Sequence, residues 1–335
     1  APTTRCTRKS WGGYRKGGIV DTEFWVGKRV LVTGGKGFLG MHVVKALRER
    51  GCDNIIVPRS ATCDLRNIEN CQMVLWEEKD IVLHLAATVG GILFNQEHPA
   101  EMVYNNLVMG AHLMEESRLR GVVQKFLTVG TACMYPESPP IPFGEDDLWK
   151  GYPTEVTAPY GVAKRALLTL SQAYRKQYGF NAIFVIPTNL YGPGDHFDPE
   201  YGHVIPALIR KFVEAKQQGH SSVTVWGTGK ATRDFLYVED AAEGIVLAVE
   251  RYDGPEPVNL GSGRETPIRE LVETIAEVVG YRGKVVWDAT KPDGQPRRLL
   301  DTERAKAAFG FEARTTLREG LERTLKWYQE RKDLP

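Results

Sequence analysis

Two short stretches hold the residues best suited to chemistry. Thr131-Ala132-Cys133-Met134-Tyr135-Pro136 sets a hydroxyl and a thiol two residues apart, and Tyr160-Gly161-Val162-Ala163-Lys164 sets a phenol and an ammonium four apart. Residues at i and i+4 share one face of a helix. A free phenol has a pKa near ~10, too high to trade protons readily at neutral pH, and a neighbouring ammonium lowers it by stabilising the phenolate. Such a pair suits proton donation to a carbonyl oxygen as hydride arrives from a nicotinamide. Thr131 can hydrogen-bond the same oxygen. In an extended segment Thr131 and Cys133 point to one face, which sets the thiol beside the polarised carbonyl. A thiol becomes a useful base when a positive charge lowers its pKa of ~8.5, and a carbon next to a carbonyl can lose a proton to it. Taken alone, Cys133 reads more simply as a buried structural cysteine, and Tyr-xxx-Lys as a surface feature.

Elements upstream are needed to position these groups. Arg29-Val30-Leu31-Val32-Thr33 is a short run of β-formers, followed by Gly34-Gly35-Lys36-Gly37-Phe38-Leu39-Gly40 and a helical pattern to Arg50. Strand, glycine turn and helix in that order make a dinucleotide site. Glycines 34, 37 and 40 allow a tight turn, close approach to a pyrophosphate and close helix packing, and the helix N-terminus faces the phosphates. Residues 54–57 read as a second strand. A carboxylate at its end would bind the ribose 2′-hydroxyl of NAD, but the chain gives Pro58-Arg59-Ser60. Arg59 and Lys36 can meet a 2′-phosphate instead, so NADP is expected over NAD. Asp64-Leu65 follows where a loop reaches the adenine. Residues 80–87 form a third strand ending in the small Ala86 and Ala87, with His84 read as a satisfied core histidine. Residues 100–120 and 160–178 read as long helices, 125–129 and 181–186 as strands. Strands alternating with helices mean βαβ units and a parallel sheet.

The expected fold is therefore α/β: a doubly wound parallel Rossmann sheet over residues 28–190. A smaller C-terminal α/β lobe follows over 191–335, where the pattern loosens and elements may interleave with the first domain. Residues 1–27, with Arg5, Arg8, Lys9, Arg15, Lys16, Trp11 and Tyr14, read as a solvated arm or as one packed on the body or on a partner subunit. The net charge of +1 calls for no nucleic acid or acidic partner, and no apolar run approaches the ~18 residues of a membrane span. Five cysteines without metal-ligand spacing point to no metal site and to a reduced, cytoplasmic setting.

Longer motifs sharpen the reading. The glycine turn, Ala86-Ala87-Thr88-Val89-Gly90-Gly91, Gly130 to Pro136, Tyr160 to Lys164, and Pro187-Thr188-Asn189-Leu190-Tyr191-Gly192-Pro193 occur in order. His203-Val204-Ile205-Pro206-Ala207-Leu208, Trp226-Gly227-Thr228-Gly229, Arg233-Asp234-Phe235-Leu236 and Lys291-Pro292-Asp293-Gly294 follow. From about residue 28 onward the chain resembles the GDP-L-fucose synthases of the extended short-chain dehydrogenase/reductase superfamily. The resemblance implies inversion of carbons 3 and 5 of a GDP-4-keto-6-deoxy sugar, then reduction of carbon 4 with NADPH. It assigns Cys133 as the base, His203 as the acid on the opposite face, Tyr160 as proton donor to the carbon-4 oxygen, and Lys164 as its partner. Pro187, Asn189 and Leu190 would line the cofactor. Asn189, His203, Lys211, Trp226, Arg233 and Lys291 would meet the nucleotide sugar, and the two long helices would make a homodimer.

The chain departs from the family's usual Ser at Thr131 and from a common second Arg at Lys211. Three readings follow: the bifunctional enzyme, a related nucleotide-sugar epimerase or reductase with part of that chemistry or another GDP-4-keto hexose or heptose, and a cofactor-binding regulator without catalysis. Cys133 with His203 argues against a simple carbon-4 epimerase, and the presence of Thr131, Tyr160 and Lys164 argues against the regulator.

Overall fold

A computed structural model describes residues 23–198, 202–291 and 293–332. The basic arm through residue 22, including Cys6, lies outside the described residues, as does Pro292. The first half alternates as the sequence predicts: β1 (Arg29–Thr33), α1 (Phe38–Glu49), β2 (Asn54–Ile56), α2 (Ile68–Val74), β3 (Ile81–His84), α3 (Ile92–Glu97), α4 (Pro99–Arg120), β4 (Lys125–Val129), α5 (Ala158–Tyr178) and β5 (Ala182–Pro187). Then come β6 (Asn189–Tyr191), α6 (Val204–Gln217), β7 (Ser222–Trp226), β8 (Thr232–Tyr237), α7 (Val238–Arg251), β9 (Val258–Leu260), β10 (Glu265–Pro267), α8 (Ile268–Val279), β11 (Lys284–Asp288), α9 (Glu303–Phe309) and α10 (Leu317–Lys332).

The main sheet is parallel throughout, in the order β2-β1-β3-β4-β5-β9. Successive strand side chains point to opposite faces, and the core divides accordingly. Val30 and Val32, Ile81 and Leu83, Leu127 and Val129 pack with α1 and α7. Leu31, Val82 and Phe126 pack against α2 and α4, while Phe184 and Ile186 pack with Leu167 and Leu168 of α5. Both faces are covered, so the strands read as continuous apolar runs rather than alternating ones. Proline begins both long helices, and Gly121 and Gly179 end them at φ of 70° and 66°, backbone that a glycine adopts without strain.

The chain crosses the expected boundary at residue 190 twice. Strand β9 returns to complete the first sheet, and helices α7 and α9 pack on its core. What remains of the second half is a three-stranded sheet β10-β8-β6 and a two-stranded sheet β11-β7, packed with α6, α8 and α10 around Phe212, Ile275 and Leu321.

The end of the expected arm is part of the body. Trp25 is 0% exposed within the core cluster of β1, α1 and α7, and its indole N–H donates to the Glu250 carboxylate at 2.5 Å. Arg50 reaches the same carboxylate at 3.0 Å. Trp25→Ala should therefore cost about 3–5 kcal/mol in denaturant unfolding; a loss under about 1 kcal/mol would show that the tryptophan does not carry this packing.

Candidate active site

The glycine turn forms as its residue types require. Gly34 sits at φ +70°, and a Cβ there would lie 2.8 Å from the Ala86 nitrogen. A Cβ on Gly40 would lie 2.1 Å from the Gly34 carbonyl oxygen. Gly37 donates to that carbonyl at 2.9 Å and caps α1. Gly35, not singled out from sequence, faces Val57, whose methyl would meet a Cβ at 2.8 Å. Phe38 and Leu39 are half-buried at the start of α1, Ala86 and Ala87 half-buried beyond β3, and Lys36 and Arg59 are exposed. This cradle, closed to any side chain and open at a helix N-terminus, fits a dinucleotide pyrophosphate. Downstream, Asp64 and Leu65 lie on the loop between β2 and α2. Asp64 is held by the Arg66 guanidinium at 2.6 Å, and Leu65 is buried among Leu31, Cys71 and Leu75.

Helix α5 brings the reactive groups together. The Lys164 ammonium, 1% exposed, donates to the Val129 carbonyl at the end of β4 over 2.8 Å, and lies 5.9 Å from the centre of the Tyr160 ring. Burial lowers its pKa to about 8. Burial pushes the Tyr160 phenol up, with Cys133 a second contributor in the same direction. Desolvation of the phenolate thus sets the direction for Tyr160, while the Lys164 ammonium is itself desolvated and bound to a carbonyl.

The shared strand face predicted for Thr131 and Cys133 is also corrected. Thr131 is extended at φ −158° and ψ 149°, but Ala132–Met134 is a turn of 3-10 helix. The Cys133 amide donates to Thr131 Oγ1 at 3.2 Å. Alternation is lost in the turn, and the thiol comes instead into the electrostatic reach of Tyr160. Helix α5 presses on this turn closely enough that a Cβ on Gly161 would lie 2.2 Å from the Cys133 carbonyl oxygen. Arg165, a residue the sequence reading passed over, donates to Met134 O at 2.6 Å and to Gly151 O at 2.9 Å.

On the second lobe, His203 caps α6, and its Nδ1 lies 3.4 Å from Oδ1 of Asp195. That hydrogen bond raises the imidazole pKa against the opposing effect of burial. Asn189 donates to the Asp234 carbonyl at 2.9 Å, while Pro187 ends β5 and Leu190 lies half-buried in β6. Arg233 donates to Gln295 O and Thr232 O at 2.6 and 2.7 Å. Burial, reinforced by Arg298, lowers it to about 10. Arg298 adds a second positive charge near Arg233, and it has no motif that would have marked it. Trp226 is not core: it is 68% exposed, with the Lys291 ammonium 5.4 Å from its ring. Lys211 is exposed on α6. His84, fully buried, hydrogen-bonds Thr33 at 2.9 Å, and burial lowers it to about 3; it is a core histidine as expected, but only half satisfied, because its Nε2 is buried without a partner.

Known proteins resemble this chain over most of its length. The model of the NAD dependent epimerase/dehydratase family matches residues 30–261. GDP-L-fucose synthase 1 of Arabidopsis thaliana is 42% identical over 301 residues, spanning 90% of this chain and 93% of the relative. The chain belongs to the GDP-L-fucose synthase family. Among solved structures, a GDP-6-OMe-4-keto-L-xylo-heptose reductase from C. jejuni superimposes with a TM-score of 0.84 at 27% identity, over 91% of this chain and 98% of that one. A GDP-L-fucose synthetase from Naegleria fowleri bound to NADP gives 0.83 at 28% identity, over 92% and 96%. Membership makes this chain a nicotinamide-dependent nucleotide-sugar epimerase/reductase. Among the described residues no helix is long and apolar enough to cross a membrane, and no group of residues could hold a metal ion.

Two outcomes follow. Gly34→Ala should abolish NADPH binding in a fluorescence titration while the protein stays folded by circular dichroism; unchanged affinity would remove the turn from the cofactor site. Asp234, 0% exposed and next to Arg233, is raised by burial from 3.8 to about 6, against the opposing Ser262 hydrogen bonds. The folded state then holds this proton where the unfolded state has lost it, so stability falls as pH rises from about 4 to 6, by about 3 kcal/mol. Asp234→Asn should lose this component in urea unfolding across that range; parallel pH profiles for both proteins would refute it.

Proposed function

We propose that this protein converts a GDP-4-keto-6-deoxy hexose to GDP-L-fucose or a close relative, inverting carbons 3 and 5 and then reducing carbon 4 with NADPH. The carrying observation is the environment of Cys133. Cys52, Cys63 and Cys71 are buried and burial raises all three. Cys133 alone among the described cysteines is partly open, on a turn held by Thr131 and beside Tyr160. Its partial exposure supports chemistry rather than packing as the role of this thiol.

The residues divide the work. The Cys133 amide occupies a lone pair of Thr131 Oγ1, leaving the hydroxyl proton free to polarise the carbon-4 oxygen. Both neighbouring carbons are then acidic enough for Cys133 to deprotonate, and His203, brought by the other lobe, returns the proton on the opposite face. When bound, the nicotinamide supplies the hydride. Tyr160 gives its proton to the carbon-4 oxygen, and its raised pKa keeps it protonated until then. Lys164 stays beside it and reaches the cofactor ribose. Gly34, Gly37 and Gly40 hold the pyrophosphate, with Phe38, Leu39, Ala86, Ala87, Pro187 and Leu190 around the cofactor. The absence of an acid at the end of β2, with Arg59 and Lys36 exposed, supports NADP. Arg233, Arg298 and Lys291 would clamp the GDP diphosphate, with Trp226 covering the sugar and Asn189 and Lys211 at its edge. Tyr104, Leu119 and Tyr178, exposed on α4 and at the end of α5, support a homodimer through those helices, and unpaired thiols fit a cytoplasmic setting. Domain roles follow: cofactor on residues 28–190 with α7 and β9, nucleotide sugar on the remainder.

The C. jejuni relative named as a reductase favours one alternative, reduction without inversion. Incubation with GDP-4-keto-6-deoxy-mannose in deuterated water separates the two. Deuterium should enter carbons 3 and 5 without NADPH, and Cys133→Ser should slow this roughly a hundredfold or more while NADPH affinity holds. Reduction without any deuterium uptake would leave a plain reductase.

A further inference from the structure

His203 sits where a protonated imidazole is hardest to keep. It caps the N-terminus of α6, and the positive end of a helix dipole disfavours a cation. Its offset is Asp195. That carboxylate is 2% exposed, its Oδ1 faces His203 Nδ1 at 3.4 Å, and its Oδ2 has no hydrogen-bond partner. A buried carboxylate retained without a full set of partners is costly, which points to a purpose beyond packing.

The loop carrying Asp195 is also fixed from outside. The His42 Nε2–H of α1 donates to the Pro193 carbonyl at 2.8 Å. Gly194, at φ +90°, packs so closely on Met41 that a Cβ would lie 2.5 Å from its terminal methyl. The Asp195 backbone donates to Gly192 O at 3.3 Å, and Oδ1 accepts the His196 amide at 2.8 Å. Asp195 is thus anchored to the cofactor-binding helix while it meets a histidine of the other lobe.

We propose that Asp195 is a positioning residue that accepts the Nδ1–H of His203 and so commits Nε2 to proton delivery. The proposal rests on the reading of His203 as the proton donor. In the step, the Nε2–H bond breaks and a C–H bond forms with the electron pair of the enolate. The imidazolium becomes a neutral imidazole with its remaining proton on Nδ1, which Asp195 accepts as a hydrogen bond. The tautomer, and therefore the atom facing the sugar, is set by the hydrogen bond at the other nitrogen. Asp195 also favours the charged imidazole between turnovers. Other charges on the same loop and helix are Asp198, Lys211, and Arg210 with its partner Glu214 at 2.8 Å. Across the loop stand His42 and Glu239.

The test uses the whole chain with Asp195→Asn, Asp195→Glu and His203→Asn. Proton–nitrogen correlation spectra of histidine-labelled protein follow the His203 tautomer and titration. Formation of epimerised product from GDP-4-keto-6-deoxy-mannose is followed against pH. With Asp195→Asn, His203 should titrate at lower pH and lose its preference for Nδ1–H. Product formation at neutral pH should fall about tenfold, part of what a general acid supplies, with NADPH affinity unchanged. Asp195→Glu, which keeps the charge, should recover most of it. An Asp195→Asn protein that melts as wild type yet shows the wild-type titration and pH profile overturns the proposal. Full-rate epimerisation by His203→Asn would instead overturn the reading of His203 as donor, while a shifted His203 titration in Asp195→Asn would still establish the pair.

Discussion

The buried ammonium of Lys164 is the constraint on which the active site depends. A charge out of water carries a penalty of several kcal/mol, and here the Val129 carbonyl at 2.8 Å is its hydrogen-bond acceptor. That bond pins α5 to the end of β4. Once α5 is pinned, Tyr160 lies one turn earlier on the same face, Gly161 rests on the Cys133 carbonyl, and Arg165 holds Met134. A slip of the helix would disturb all of these together. The lowered lysine pKa, about 8, reflects the same burial.

A second set of buried polar groups holds the lobes in register. Tyr135, just past the Cys133 turn, donates to Asn259 Oδ1 at 2.7 Å, and Asn259 donates to Phe143 O and Asp301 O. The Thr188 hydroxyl and the Asn189 amide both donate to the Asp234 carbonyl, and Ser262 donates to its carboxylate. Buried hydrogen-bond networks of this kind are stiff, even though the second oxygen of the Asp234 carboxylate is left without a partner. Through them the strand end that carries Asn189 is tied to the strand that carries Arg233. Arg233 is therefore placed relative to the first sheet by hydrogen bonds between neighbouring strands.

The elements legible from sequence were those whose residue types leave no alternative. Gly34 and Gly40 must be glycine because backbone stands where a Cβ would go, and the strand runs are continuous because both faces are covered. His84 was legible as core because an apolar strand surrounds it. The features that were missed depend on contacts distant in sequence. Trp25 looked like part of an arm, and only its Glu250 partner, 225 residues away, makes it core. Arg298 lies beside Arg233 because two extended segments pair, which no local spacing reveals. Asp195 gave a faint signal, an acid eight residues before a candidate histidine, but nothing local says that the loop closes back on it.

The sequence by itself determined the parallel α/β fold, the glycine cradle, and the identities of the hydroxyl, thiol, phenol, ammonium and imidazole. Those follow from steric exclusion, hydrophobic periodicity and motif order, which are properties of short stretches. Tertiary structure alone decided how the groups stand. It replaced the extended face at Thr131 and Cys133 with a 3-10 turn, because α5 presses on that segment and Thr131 accepts its amide. It put burial in control of the Tyr160 phenol, because desolvation depends on everything packed around a group and not only on its neighbour at i+4.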